Sequence, residues 1–261
     1  MASSSSQALP KLTVYRGFDW PGRYTWSPFV NKLETRLRLA GVPYVAAPGS
    51  VRQAPMGKIP YVDLGNGETM GDSTLITRRL VGDGVLPDLN AGLSPAQKAQ
   101  DLALRALMED KIYFYGVRER WRDNYVTMRS TVMAAIPYPI QLIIGLLAYN
   151  KATGALNGQG TGRLTQDQVA VFQQEAWEAL NHLLSEARLN APARSRDAPF
   201  WILGGEQPTE ADATLMGFIV STLVCTAAPE AGKVVRGFPI LVDYCRRIHD
   251  RYFSDYEKWT E

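Results

Sequence analysis

The sequence predicts an α/β unit followed by an all-α unit. Three observations carry that expectation. Up to about residue 82, strand-spaced and helix-spaced apolar patterns alternate in the order β-α-β-loop-β-β-α. The stretch 81–92, VGDGVLPDLNAG, is rich in Gly and Pro and has the composition of a linker. Beyond it the apolar patterns have helical spacing. Caps at Ser94–Gln97, Thr165–Gln168 and Thr209–Asp212 open helices there. The predicted organisation is a disordered tail over 1–10, the α/β unit over 11–82, a linker over 83–93 and the helical unit over 94–261.

Each element has a local reason. KLTVYRG, Lys11 to Gly17, carries β-branched and aromatic residues at strand spacing. Ser27 is a good N-cap and Pro28 suits the first position of the helix that follows. Val30, Leu33, Leu37 and Ala40 form its apolar stripe, Gly41 stops it, and Pro43 cannot continue it. Pro43–Ala47 is a short second strand. Tyr61–Leu64 and Glu68–Met70 flank the turn Gly65–Gly67 as a hairpin. A further helix runs from Asp72 to about Val81. In the helical unit, Phe172, Ala176, Leu180, Leu183, Leu184 and Ala187 trace one face, and Pro239 starts a last helix.

Composition narrows the function. The chain has 261 residues, a formal net charge of +2 and no long basic run, so a nucleic-acid partner has no electrostatic support. Its two cysteines, Cys225 and Cys245, are far apart and form no CxxC. Buried structural thiols in a reducing, cytoplasmic setting are expected. The two histidines, His182 and His249, have no metal-ligand spacing around them, and no metal site is expected. The N-terminus, MASSSSQALP, lacks the apolar core of a signal peptide. Thr131–Asn150 has no charged residue, but Pro137 and Pro139 interrupt it. That leaves about ten residues of uninterrupted helix, against the roughly 20 a membrane span requires. A bent helical segment packed on the helical unit is expected, with membrane contact the less favoured alternative.

These residues together resemble the glutathione transferases: an N-terminal thioredoxin-like domain (β-α-β-loop-β-β-α) followed by an all-helical C-terminal domain. GKIPYVDL and GDSTLI are similar to that superfamily's cis-proline segment and acid-Ser pair. SPFVNKLETRLRLAGVPY, GQGTGRLTQDQV and PTEADATLMGFI resemble the metaxin and failed-axon-connections branch with its bacterial and fungal transferase-like relatives. The resemblance spans roughly residues 11–259, and it is more specific for fold than for activity.

The resemblance implies glutathione as co-substrate and a small apolar electrophile as partner, in a monomer or homodimer. It implies a cis Ile59-Pro60 bond, with the Ile59 backbone open to pair with the cysteinyl part of glutathione. Asp72 and Ser73, at a helix N-terminus, would take the γ-glutamyl end. They are also ordinary capping residues. Lys58, and more weakly Arg52, would meet the glycyl carboxylate; a solvated surface charge is the alternative. Ser27 occupies the place of the thiol-activating residue, where a hydroxyl and the helix N-terminus favour a thiolate. A plain N-cap explains it equally, and the two roles are compatible. Tyr24 is the second candidate hydroxyl, and Arg23 a source of positive charge. Trp20, Trp26 and Phe29, with Tyr113 and Tyr115 from the helical unit, are the candidate substrate pocket; packing between the units is the alternative. A non-catalytic binding or membrane-associated protein like metaxin is the competing function.

Overall fold

The structure, a computed structural model, describes residues 12–190 and 197–260. The expected disordered tail over 1–10 lies outside them. The chain opens with β1 (Thr13–Tyr15), α1 (Pro28–Leu39), β2 (Val45–Ala47), β3 (Tyr61–Asp63), β4 (Thr69–Gly71) and α2 (Ser73–Gly82). The sheet order is β2-β1-β3-β4. β1 runs parallel to β2 and antiparallel to β3, and β3 is antiparallel to β4. Leu12, Val14, Leu33, Leu37, Val62, Ile76 and Leu80 bury the facing sides of sheet and helices in one core. This is the thioredoxin-like topology expected.

The helical half begins at α3 (Pro95–Leu107), where Ser94 and Gln97 form a reciprocal capping box. The helix opened there is continuous but not uniform. It widens into π-helical turns at Met108–Ile112 and Glu119–Asp123, on either side of α4 (Tyr113–Arg118). Asn124, with φ −121° and ψ 38°, ends it before α5 (Tyr125–Val132). Then come α6 (Tyr138–Gln159), α7 (Gln166–Asn190), α8 (Glu210–Val224), α9 (Pro229–Arg236) and α10 (Pro239–Tyr252). Asp212 caps α8 from full burial, accepting from the amides of Ile202 and Thr209 and from the hydroxyls of Thr209 and Tyr244. Burial pushes its carboxyl up to about 6.

The two halves meet along α1 and α8. A Cβ on Gly217 would lie 2.5 Å from the Lys32 amide nitrogen and 2.6 Å from the Pro28 carbonyl oxygen. Only a glycine lets the two backbones approach so closely. The end of the chain also folds back onto the first half. Tyr256 donates to buried Glu34, which pairs with buried Arg16, and Arg38 holds Asp255 through two hydrogen bonds.

The Thr131–Asn150 expectation needs correction on two points. The bend is present, at residues 133–137. However, α6 is 22 residues long, because its prolines lie before or within its first turn, where no helical amide is lost, and the helix continues past Asn150. Nor is the segment packed all round. Gln141, Gly145 and Leu156 face the body, while Ile140, Ile143, Leu146 and Leu147 are exposed. Among the described residues no single helix is long and apolar enough to cross a membrane.

Candidate functional site

Strand register gathers three segments at one end of the sheet. Tyr15, the last residue of β1, lies opposite Tyr61, the first of β3. Tyr61 lies opposite Gly71, the last of β4. The loop from β1 to α1, the Ile59-Pro60 approach to β3, and Asp72-Ser73 therefore leave the sheet at the same end. Ligands of open α/β sheets gather where such loops converge. The Ile59-Pro60 bond is cis. The Ile59 side chain packs on Gly17, where a Cβ would sit 2.6 Å from its Cδ1.

Ser27 is the N-cap of α1, and its Oγ accepts from the Val30 amide at 3.4 Å. That contact uses an oxygen lone pair and leaves the hydroxyl proton free to donate. The loop that presents Ser27 is held by Asn31, which the sequence reading did not single out. Asn31 Oδ1 accepts from the Thr25 amide at 3.0 Å, and its Nδ2 donates to the Thr25 carbonyl at 2.8 Å. Thr25 Oγ1 in turn accepts from the Ser27 amide at 3.3 Å.

At the second helix start, Asp72 adopts φ +71°, an uncommon conformation for a non-glycine residue and one that collects at ligand sites. Its Oδ1 accepts from the amides of Thr74 and Leu75. Ser73 is buried and Asp72 exposed. Lys58 and Arg52 are exposed on the loop before Pro60. Lys32 was also missed. Its buried ammonium donates to Thr74 Oγ1 at 2.8 Å and to Glu109 Oε1 at 2.6 Å. It thus ties the first turn of α2 to the π-helical turn of the helical half.

The aromatic candidates divide. Phe18, Trp20 and Trp26 meet in series, tilted and then edge-on, with ring centroids 4.6 and 5.8 Å apart. Trp26 donates from Nε1 to the Val224 carbonyl and is packed with Met128 and Ala228. Phe29 meets Tyr113 edge-on at 5.0 Å, one helical turn from the Lys32–Glu109 pair. Tyr113 is half-buried, with the Arg120 guanidinium over its ring.

Tyr24 lines one cavity with Trp20 and Trp26, but its hydroxyl is engaged inside the core. The Tyr24 hydroxyl shares a 2.9 Å hydrogen bond with His249 Nδ1 and is enclosed by Phe253, Tyr256 and Trp259. Burial pushes its phenol far above the ordinary range, the opposite of an activated hydroxyl. Tyr115 is buried, and its phenol is pushed up by that burial and by the charge of Glu175 on α7. Tyr113, two positions earlier on the helix, faces Phe29 instead. Arg23 is exposed and pairs with Glu257.

The fold and this convergence of loops define a thioredoxin-like domain joined to a helical domain. A profile of the glutathione S-transferase N-terminal domain matches residues 28–127. The isoprene-epoxide–glutathione S-transferase of Rhodococcus sp. (strain AD45) is 30% identical over 256 residues, covering 92% of this chain and 99% of that protein. The chain belongs to the glutathione S-transferase family. Metaxin-2 of Mus musculus is 24% identical over 209 residues, covering 78% of this chain and 73% of its own, in line with the metaxin branch. The solved structure of Ure2p in complex with glutathione shares the fold, with a TM-score of 0.55 at 15% identity, over 95% of this chain and 93% of that one.

Proposed function

We propose that the protein binds glutathione along Ile59, Pro60, Asp72 and Ser73 and directs its thiolate, held by the Ser27 hydroxyl, at a small apolar electrophile. The observation that carries this reading is the register that sets Ser27, Pro60 and Asp72-Ser73 at one end of the sheet. The backbone of Ile59 would pair with the extended cysteinyl unit, as a peptide adds to a strand. The γ-glutamyl carboxylate would lie at the N-terminus of α2, with Lys32 behind it and the second carboxylate oxygen of Asp72 near its ammonium. Lys58 would meet the glycyl end.

The Ser27 proton and the α1 N-terminus stabilise a thiolate in the same way, by placing positive charge against sulfur. Trp20, Trp26, Phe29 and Tyr113 would form the apolar wall for the second substrate. The name of the Rhodococcus relative makes a small epoxide the first substrate to try. There the sulfur would form a C–S bond as the C–O bond breaks, and the alkoxide would take a proton from water. A glutathione-dependent isomerisation would use the same residues. The buried free thiols Cys225 and Cys245 favour a reducing compartment such as the cytoplasm.

The test is titration with glutathione, then turnover with a generic electrophile and with a small epoxide. Saturable binding with turnover supports the proposal. Binding without turnover favours a non-catalytic role, which the likeness to metaxin-2 keeps in view. Absence of binding overturns it.

A further inference from the structure

We infer that the protein docks on anionic bilayer surfaces through the outer face of α6. Tyr138, Ile140, Ile143, Leu146 and Leu147 are each more than half exposed. They lie on the first half of one helix, beside the exposed Ala134 and Ala135 of the bend. Such a cluster marks an interaction surface.

Charge selects the partner. Between Asp123 and Asp167 the chain has no carboxylate; of the cations there, Lys151 and Arg163 are exposed, while Arg129 packs beneath Gly145 and over the Tyr125 ring. Pairing α6 with α6 of a second copy would bring no acid to Lys151 or Arg163. A layer of anionic headgroups supplies the missing partner. Exposed Lys151 lies one turn past Leu147, within reach of the headgroup plane. Tyr138, at the helix start, is the residue type that sits at membrane–water boundaries. The helix would lie in the interface with its isoleucines and leucines in the acyl boundary, so no span is needed. The inner face stays on the body: Gly145 is so close to α5 that a Cβ would meet Arg129 Cδ at 2.6 Å and the Tyr125 hydroxyl at 2.7 Å. The surface thus belongs to a rigid helix pair.

The experiment is flotation of the full chain with vesicles of phosphatidylcholine alone and of phosphatidylcholine with phosphatidylserine. Co-flotation with the anionic vesicles, weakened by salt, is expected. Ile143→Glu/Leu147→Glu should reduce it about tenfold or more, and Lys151→Glu should weaken it several-fold while leaving the apolar face intact. Circular dichroism and glutathione binding should stay at wild-type values in both variants. If the double variant does not fold, Ile143→Ser alone should still show the loss. No flotation by the wild type, or equal flotation by wild type and variants, overturns the inference. So does sedimentation showing a wild-type dimer that the double variant converts to monomer with no vesicle binding by either, which makes the face a self-interface.

Discussion

The ammonium of Lys32 lies 2.6 Å from the carboxylate of Glu109, with the lysine in the α/β unit and the glutamate in the helical unit. Lys32 is nearly fully buried and also donates to Thr74 in the first turn of α2. A buried ammonium without its partners is costly. The pair therefore fixes both the cleft between the halves and the helix start where the γ-glutamyl end is proposed to bind. Lys32→Met should raise KM for glutathione with a smaller change in kcat. Glu109→Gln should do the same less severely, because the amide oxygen still accepts. Equal KM values in wild type and Lys32→Met would remove Lys32 from the binding proposal.

Ser27 carries a sharper test, because its cap role and its proposed thiolate role use different parts of the hydroxyl. Ser27→Ala loses the cap at a cost of about 1 kcal/mol. Ser27→Asp keeps a capping oxygen but has no proton to give at neutral pH, and its charge opposes a thiolate. Both should fold and lose turnover, Asp more than Ala. The pH profile of Ser27→Ala should move upward, since the bound thiol has lost a stabilising hydrogen bond. Wild-type turnover and pH profile in Ser27→Ala would leave Ser27 as a cap only.

Tyr24→Phe should leave the pH profile of turnover unchanged and lower stability by about 1–2 kcal/mol, because His249 Nδ1 loses its buried partner. Burial holds His249 below its ordinary value of 6.5. Its contribution to stability is therefore complete above pH 6.5 and is lost as pH falls through the folded value. Urea unfolding at pH 7.5 and 5.5 should show this loss in the wild type and a smaller one in His249→Phe.

Asp212 has the opposite slope. Its folded value of about 6 lies above the ordinary 3.8, so its contribution is complete below 3.8 and is lost as pH rises through 6. The stability difference between wild type and Asp212→Asn should thus move in favour of the wild type as pH is lowered from 7 to 4.5. A constant difference across that range would mean that Asp212 does not titrate there.

Gly217→Ala should destabilise by about 1–3 kcal/mol. The new methyl would press on the backbone of Lys32 and Pro28, which cannot rotate away as a side chain can. Thermal unfolding should show a Tm lowered by several degrees. Gly154→Ala, whose Cβ meets nothing within 4 Å, is the matched control.

Most of the fold was legible because local signals agreed: the Ser27-Pro28 start, the hairpin turn at 65–67 and the caps at Ser94 and Thr209 each mark a real boundary. Ser27, Pro60 and Asp72-Ser73 were legible for the same reason, since helix starts and prolines have local chemistry. What escaped depends on distant partners. Lys32 looks like an ordinary polar helix residue until Glu109, 77 positions away, is beside it. Tyr24 looks available beside Ser27 in sequence, yet its partner His249 is 225 positions away. The π-helical turns were invisible because they shift the helical phase without changing residue type. The open face of α6 was misjudged because an uncharged stretch has the same composition whether or not something covers it.

The return of residues 255–259 onto the first domain also sets a clock. During synthesis Glu34 and Tyr24 emerge 222 and 225 positions before their partners Tyr256 and His249. At about 5–20 residues per second, that delay is on the order of 10–40 s. Throughout it the Arg16–Glu34 pair lacks the Tyr256 donor, and the aromatic cage around Tyr24 stands open. The α/β domain, although made before the helical one, is completed only after it, so a ribosome stalled before residue 249 would display a helical domain largely made while the loop around Tyr24 is still unfastened.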